Sequence, residues 1–386
     1  MYPPDRIIGT MDVPSTLLIT NDFPPRVGGI QRMLASLVDE LPPERVAVLA
    51  PSWEGAAGFD ATQPYRIFRE PQRFIWPSSR VLSRILNVIE ETSAEVVVFG
   101  AASPLAVLGP RVAVAGVPYL VIAHGFEYWL SLLPGSHTLM RRATARASRV
   151  TACSEFVGRT VRTAVPRHVP VSILQPGADT TRFHPDLPTG DLRARHGVEG
   201  RPLVVCVSRL VMRKGQDVLI RAMRDLQRRI PDAALLIVGG GPYEHALRGM
   251  AAEAPADSVF FTGQVSEEDL PRYYAMADVF AMPCRTRLAG LEVEGWGAVF
   301  VEAAACGKPV VVGDSGGARE SLVDGETGIL VDGGDVMRVA SALADLLGDP
   351  ALARRMGKAG RARVERELSW PHLAARLTGW LQAAAG

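Results

Sequence analysis

The sequence predicts an α/β protein built as two doubly wound, Rossmann-like parallel-sheet domains. Three observations carry this prediction. Short apolar runs alternate with helical stretches, the alternation breaks once in a Gly-, Pro- and Asp-rich segment, and it then restarts. At 386 residues, 47% apolar and 22% charged, the chain is globular and long enough for two or three domains.

The elements follow in order. Residues 1–14, MYPPDRIIGTMDVP, lack the apolar core of a signal peptide and read as a loose leader. In the first half STLLIT, RVAVLA, EVVVFG, PYLVIA, RVTACS and VSIL read as strands, with helical GIQRMLASLVDEL and SRVLSRILNVIEE between them. Short, continuously apolar strands separated by helices mean a parallel sheet covered on both faces. The first domain is therefore placed at 15–185. The pattern breaks over 177–202, GADTTRFHPDLPTGDLRARHGVEGRP, with the linker proper at 186–202. Strands resume as LVVCVS, AALLIVG, SVFFTG, DVFAMP, PVVVGD and GILV, with QDVLIRAMRDLQRR and SEEDLPRYYAMAD as helices, in a second domain at 203–366. A last helix, WPHLAARLTGWLQAA, falls in 367–386. Ligands bind beyond the carboxyl ends of such sheets. Two of them facing each other would make a cleft.

Composition narrows the class. A net charge of +1 is no argument for a nucleic-acid binder, so no nucleic-acid partner is expected. The four cysteines (Cys153, Cys206, Cys284, Cys306) form no CxxC pair and read as reduced, mostly buried thiols of a cytosolic protein. No apolar run reaches the roughly 18 residues needed to span a bilayer.

EVEGWGAVFVEAAACGKPVV, residues 292–311, places two carboxylates eight residues apart around glycine and apolar residues. Glu294 falls in a loop before a helix, and Glu302 just over a turn inside it. The amides near Gly295, Gly297 and Ala298 open that helix, and a helix start of this kind attracts phosphate. Glycine lets a ligand approach the backbone closely. A phosphate seat flanked by two carboxylates suits a nucleotide sugar, one carboxylate for the sugar and one for the ribose. The alternative is a solvated loop glutamate and a surface helix glutamate.

SRLVMRKGQDVLI follows a strand, so Arg209 and Lys214 sit at its carboxyl end. Of 42 Lys plus Arg, only Lys214, Lys308 and Lys358 are lysines. A lysine kept in so arginine-rich a chain suits a compact point charge on phosphate. A chance lysine in an exposed turn is the other reading. In NDFPPRVGGIQRML, Gly28 and Gly29 precede a helix and would allow close approach to phosphate or sugar, or serve a turn with positive φ. In LVIAHGFEYW, His124 ends a strand, either to meet a sugar hydroxyl or as a structural histidine. Gly239–Gly241 with Pro242 fail the dinucleotide fingerprint, because Glu244 stands where its third glycine belongs. They read as a tight strand-to-helix turn. No HExxH or GxxxxGKS motif occurs, and the histidines form no metal-ligand cluster.

SHTLMRRATARASRV, residues 136–150, reads as a basic helix capped by Ser136, next to the apolar loop YWLSLLPG. Arg142, Arg146 and Arg149 would share one face, with Arg141 beside them. Such a helix could rest on an anionic membrane, or be a solvated face in an arginine-rich protein.

Gly28-Gly29 after the first strand, His124-Gly125, Ser208-Arg209-Leu210 with Lys214-Gly215, Gly239-Gly240-Gly241, and Glu294 through Glu302 occur here in a characteristic order and spacing. Over nearly its whole length the chain resembles the family-4 retaining glycosyltransferases of the GT-B fold. NDFPPRVGGIQ, FGAASPLA, SLLPGS, RLVMRKGQD and MPCRTRLAGLEVEG make it similar to the actinobacterial GDP-mannose-dependent phosphatidylinositol mannoside mannosyltransferases. It departs from that subgroup at Phe126, in His124-Gly125-Phe126-Glu127 rather than His-Gly-His-Glu.

The resemblance implies that Arg209 and Lys214 neutralise the donor diphosphate and that Glu294 holds hydroxyls of the transferred sugar. The backbone at Gly295, Trp296, Gly297, Ala298 and Val299 assists, Glu302 binds the ribose diol, and the backbone near Val265 meets the base. His124 and the Gly28-Gly29 loop close over the donor, and the last helix returns to the first domain. The implied donor is GDP-mannose and the acceptor a phosphatidylinositol-type lipid or another polyol, reached from the cytoplasm at the inner face of the membrane. No metal or other cofactor is required, Mg2+ being at most stimulatory. Three readings stay open beside it: a transferase using a UDP-sugar and a soluble acceptor, a nucleotide-sugar epimerase-like enzyme, and a non-catalytic nucleotide-sugar-binding subunit.

Overall fold

A computed structural model describes residues 12–125, 127–128 and 134–386. Most of the expected leader, residues 1–11, lies outside the described residues. So do Phe126 and most of the apolar loop before the basic segment, residues 129–133.

The chain forms two compact units, residues 1–176 with 370–386, and 177–369. The first unit holds a seven-stranded parallel sheet: β1 (Thr16–Ile19), β2 (Val46–Pro51), β3 (Arg66–Glu70), β4 (Val96–Phe99), β5 (Tyr119–Ala123), β6 (Arg149–Ala152) and β7 (Val171–Ile173), in the order β3-β2-β1-β4-β5-β6-β7. The second holds six parallel strands: β8 (Leu203–Val207), β9 (Ala234–Val238), β10 (Val259–Gly263), β11 (Val279–Met282), β12 (Val310–Gly313) and β13 (Gly328–Val331), in the order β10-β9-β8-β11-β12-β13. In each sheet the strand order reverses once, between β1 and β4 and between β8 and β11. Ligands of doubly wound sheets sit beyond the carboxyl ends at that point.

Every strand expected from the sequence forms, because central parallel strands bury both faces and must be apolar throughout: β1, β4, β5, β8, β9 and β11 are buried at every position. The strand β3, RIFRE, is additional. It lies at the sheet edge with an exposed or half-buried face, so its sequence carries charge. The helix expected over 266–278 is shorter, Leu270–Ala275.

The last helix, Trp370–Ala385, belongs to the first unit. Its Leu373, Ala374, Leu377 and Leu381 share a core with Leu34, Leu37, Val98 and Ile122. The chain leaves the first unit after Pro176, earlier than the sequence suggested. Residues 186–202, read as linker, are part of the second unit. Their helix Gly190–Arg195 is fixed there by Arg193, whose guanidinium donates to Met276 O and Asp278 Oδ2.

The basic helix expected over Ser136–Val150 is corrected. The helix runs only from Pro134 to Ala143, so Ser136 is inside it and does not cap it. Arg141 and Arg142 lie exposed in its last turn, Arg146 in the following turn, and Arg149 opens β6, where it donates to Ser172 Oγ. No single face carries the arginines. The cause is Tyr119, whose hydroxyl donates to Ala143 O at 2.8 Å and accepts from Arg146 N at 3.3 Å. That side chain from β5 takes the hydrogen bonds that would have continued the helix.

Candidate active site in the second unit and a histidine loop in the first

The second unit gathers its chemistry beyond β8 and β11. After β8 the chain makes a short 3-10 turn, Met212–Lys214, and enters the helix Gln216–Arg229 through Gly215 at φ +78°. A Cβ on Gly215 would lie 2.0 Å from Pro283 O, so only glycine lets this turn press against the end of β11. Lys214 is thereby 9% exposed.

The loop after β11 is bolted to that turn. Arg285 N donates to Arg213 O at 2.8 Å, and the Arg285 guanidinium grips both carboxylate oxygens of Asp217 at 3.0 Å. Arg221 holds Asp217 Oδ2 at 2.6 Å. Further along, Glu294 N donates to Ser315 Oγ at 3.2 Å and Gly317 N to Glu294 O at 2.8 Å. These bonds deliver the Glu294 carboxylate, only 8% exposed, to Lys214: Nζ to Oε2 is 2.6 Å, with Arg213 Nε at 3.9 Å. Lys214 and Glu294 thus form a close, buried ion pair. The reading of Glu294 as a solvated loop residue falls, as does that of Lys214 as an exposed-turn lysine.

Glu302 is 6% exposed on the helix Ala298–Ala305, so the surface-helix reading also falls. It accepts a 2.5 Å hydrogen bond from the Tyr274 hydroxyl, a partner the sequence did not suggest. That helix opens at Gly297, φ +89°, with no side-chain cap, while Trp296 is buried beside it and Ala298 and Val299 form its half-buried first turn.

Arg209 is exposed, and its backbone is fixed. Gln216 Nε2 donates to Ser208 Oγ at 2.8 Å and to Arg209 O at 3.2 Å. The three glycines pack on the same segment: a Cβ on Gly239 would fall 2.2 Å from Ser208 O, and one on Gly241 2.4 Å from Leu210 O. Gly240 lies against Gln264, which sets the half-buried Val265 beside the same turn. Gln216, Asp217, Arg285 and Ser315 were not singled out as site residues. The first two stand in RKGQD, the stretch already quoted, whereas Ser315 stands in GDSGG, which was not weighed.

In the first unit, neither Gly28 nor Gly29 lies in the left-handed region that favours glycine, so the turn reading falls. Gly28 is extended, and its missing side chain makes room for Gln31 Oε1, 2.1 Å from where a Cβ would stand. Gly29 opens the helix Gly29–Asp39 with nothing within 4 Å of its Cβ position. His124, buried at the end of β5, bonds Gly100 O through Nε2 at 2.7 Å. Glu127, which sequence reasoning passed over, holds the loop: its carboxylate accepts from His124 N at 2.7 Å and Ala102 N at 3.1 Å. Among the described residues no group of three or more His, Cys, Asp or Glu is placed to hold a metal, and no helix is long and apolar enough to cross a membrane.

Comparison with known proteins gives this geometry a family. Residues 27–182 match Glycosyltransferase Family 4 and residues 189–363 match Glycosyl transferases group 1. The chain is 48% identical over 368 residues to the GDP-mannose-dependent alpha-(1-6)-phosphatidylinositol monomannoside mannosyltransferase of Mycolicibacterium smegmatis, covering 94% of this chain and 96% of that protein. It is 46% identical over 375 residues to the protein of the same name from Mycobacterium tuberculosis H37Rv, covering 95% and 97%. Among solved structures, Anabaena HepE in complex with UDP superposes with a TM-score of 0.80 at 20% identity, over 96% of this chain and all of that one. Sucrose-phosphate synthase from Thermosynechococcus elongatus superposes at 0.72 and 21%, over 96% and 98%. With two parallel-sheet Rossmann-like units and relatives of this identity over nearly all its length, the chain belongs to the family-4, group 1 glycosyltransferases of the GT-B fold.

Proposed function

We propose that this chain transfers mannose from GDP-mannose, with retention, to a phosphatidylinositol mannoside-type glycolipid. One observation carries the chemistry: a buried carboxylate, Glu294, held 2.6 Å from a buried ammonium, Lys214, at the carboxyl end of the second sheet. Mannose and the inositol lipid are supported by the names of the relatives at 46–48% identity.

In this reading the donor diphosphate takes Lys214 and Arg209 as its counter-cations, and Glu294 turns to the hydroxyls of the sugar. The amides from Gly295 to Val299 contribute dipoles at the uncapped helix start. Glu302 takes the ribose and the backbone at Val265 the base. The bond from the anomeric carbon to the diphosphate oxygen breaks while the acceptor oxygen bonds the same face of that carbon. The acceptor proton passes to the departing phosphate oxygen. Positioning and fixed charge then supply the rate, Lys214 and Arg209 stabilising the negative charge that grows on the leaving group.

The test is transfer of label from GDP-mannose and from UDP-glucose to vesicles containing phosphatidylinositol monomannoside, with the anomeric configuration read by NMR. An α-linked mannolipid from GDP-mannose alone is expected. Sugar release without transfer, or preference for the UDP-sugar, overturns the proposal and points to the epimerase-like or UDP-sugar readings.

A further inference from the structure

A second pocket lies at the other end of the second unit's sheet. Pro202, Asp278 and Pro309 immediately precede β8, β11 and β12, and all three line a cavity of about 420 Å³. That volume is in the range of small-molecule sites. The donor residues follow the carboxyl ends of the same strands, so the length of the sheet separates the two.

The cavity is cationic. Arg193, Arg201, Lys308 and Arg354 line it, and Asp278 is its only acidic residue. That carboxylate is already engaged, Oδ2 accepting from Leu203 N at 2.8 Å and from Arg193 at 3.1 Å. Lys308 is different. Among the described residues no carboxylate lies within 4.0 Å of its ammonium and its side chain makes no hydrogen bond. Burial draws its pKa below the usual lysine range, with Asp278 opposing this from farther away. An ammonium kept partly out of water without a partner costs stability, and an anion would offset that cost. Arg201 lines the cavity but is turned toward the β10 edge: Nε donates to Asp232 O at 2.8 Å and the guanidinium lies over the Phe260 ring at 5.5 Å. Arg354, exposed on the helix Pro350–Arg363, supplies the second cation. Only three lysines occur in the chain. Lys214 serves the donor end of this sheet, Lys308 stands in the cavity at its other end, and Lys358 is exposed.

We propose that this cavity binds the phosphate of a phosphorylated organic molecule, with Lys308 and Arg354 on the phosphate. Leu346, Leu347 and Pro309 form an apolar wall for the organic part. The inference does not rest on the identity of the donor. Soluble phosphate esters and lipid headgroups share the chemistry, and the experiment separates them.

The full chain, with GDP held saturating to occupy the donor site, is titrated calorimetrically with inorganic tripolyphosphate. In parallel it is sedimented with phosphatidic acid vesicles. One bound tripolyphosphate is expected, weakened at least tenfold in Lys308→Met/Arg354→Gln and unchanged in Lys214→Ala. Vesicle binding lost in the double variant, with no tripolyphosphate bound, assigns the phosphate to a lipid headgroup. If neither probe binds, or both bind wild type and double variant equally, the site is overturned. Melting temperature and GDP affinity report folding. Arg354→Gln alone, at an exposed position, keeps the test decisive if the double variant unfolds, with a loss of at least threefold expected and an unchanged affinity overturning the site.

Discussion

Lys214 Nζ lies 2.6 Å from Glu294 Oε2, the two side chains being 11% and 10% exposed. Breaking a buried pair by removing one partner strands the other charge, at about 3–5 kcal/mol. Lys214→Ala is expected to lower stability by that order and to cost at least about 10²-fold in kcat. The double variant Lys214→Ala/Glu294→Gln removes the stranded carboxylate, so stability returns while activity stays lost. Urea midpoints and kcat measured across this cycle check it. Stability and activity recovering together would mean that the pair only holds the fold.

Tyr274 donates its hydroxyl to Glu302 at 2.5 Å inside the second unit. Tyr274→Phe leaves a buried carboxylate oxygen short of a donor, a loss of about 1–3 kcal/mol. Glu302→Gln is expected to raise KM for the donor with a smaller change in kcat. An unchanged KM removes Glu302 from donor binding.

Glu127 holds the amides of His124 and Ala102 together. In Glu127→Gln one acceptor oxygen becomes an NH₂ facing an N–H, so the loop is expected to shift. We predict a fall in kcat of at least tenfold in both Glu127→Gln and His124→Ala, with the donor dissociation constant within threefold of wild type. If Glu127→Gln lowers only the melting temperature, its role is structural.

Burial pushes the Cys206 and Cys306 thiols up to about 12 from an ordinary 9.0, with Ser208 opposing this at Cys206 and Lys308 at Cys306. The folded chain keeps both neutral where the unfolded chain ionises them. Their contribution to stability is therefore complete below about pH 9 and is lost as pH rises toward 12, by roughly 1.4 kcal/mol per unit and group. Urea midpoints at pH 8, 9.5 and 10.5 should fall more steeply for wild type than for Cys206→Ala/Cys306→Ala. Equal slopes would contradict the assignment.

The strands of both sheets were legible because a parallel strand covered on both faces has to be apolar at each position. The strand β3 was not, because an edge strand satisfies only one side and RIFRE carries the charges of the other. Gly239 and Gly241 were legible as a tight turn after a strand, but their close approaches to Ser208 O and Leu210 O, and that of Gly215 to Pro283 O, were not, because those atoms come from elsewhere in the chain. The sequence by itself determined the two-sheet organisation and the residue types at each strand end. Only the tertiary structure decided which of them meet. Lys214 and Glu294 are brought together because β8 and β11 are adjacent at the point where strand order reverses, a pairing that no local periodicity encodes. The same holds for the basic segment. Its spacing favoured one long helix, and a tyrosine hydroxyl from β5, reaching Ala143 O and Arg146 N, ended it, because a buried backbone group bonds whichever partner the fold places nearest.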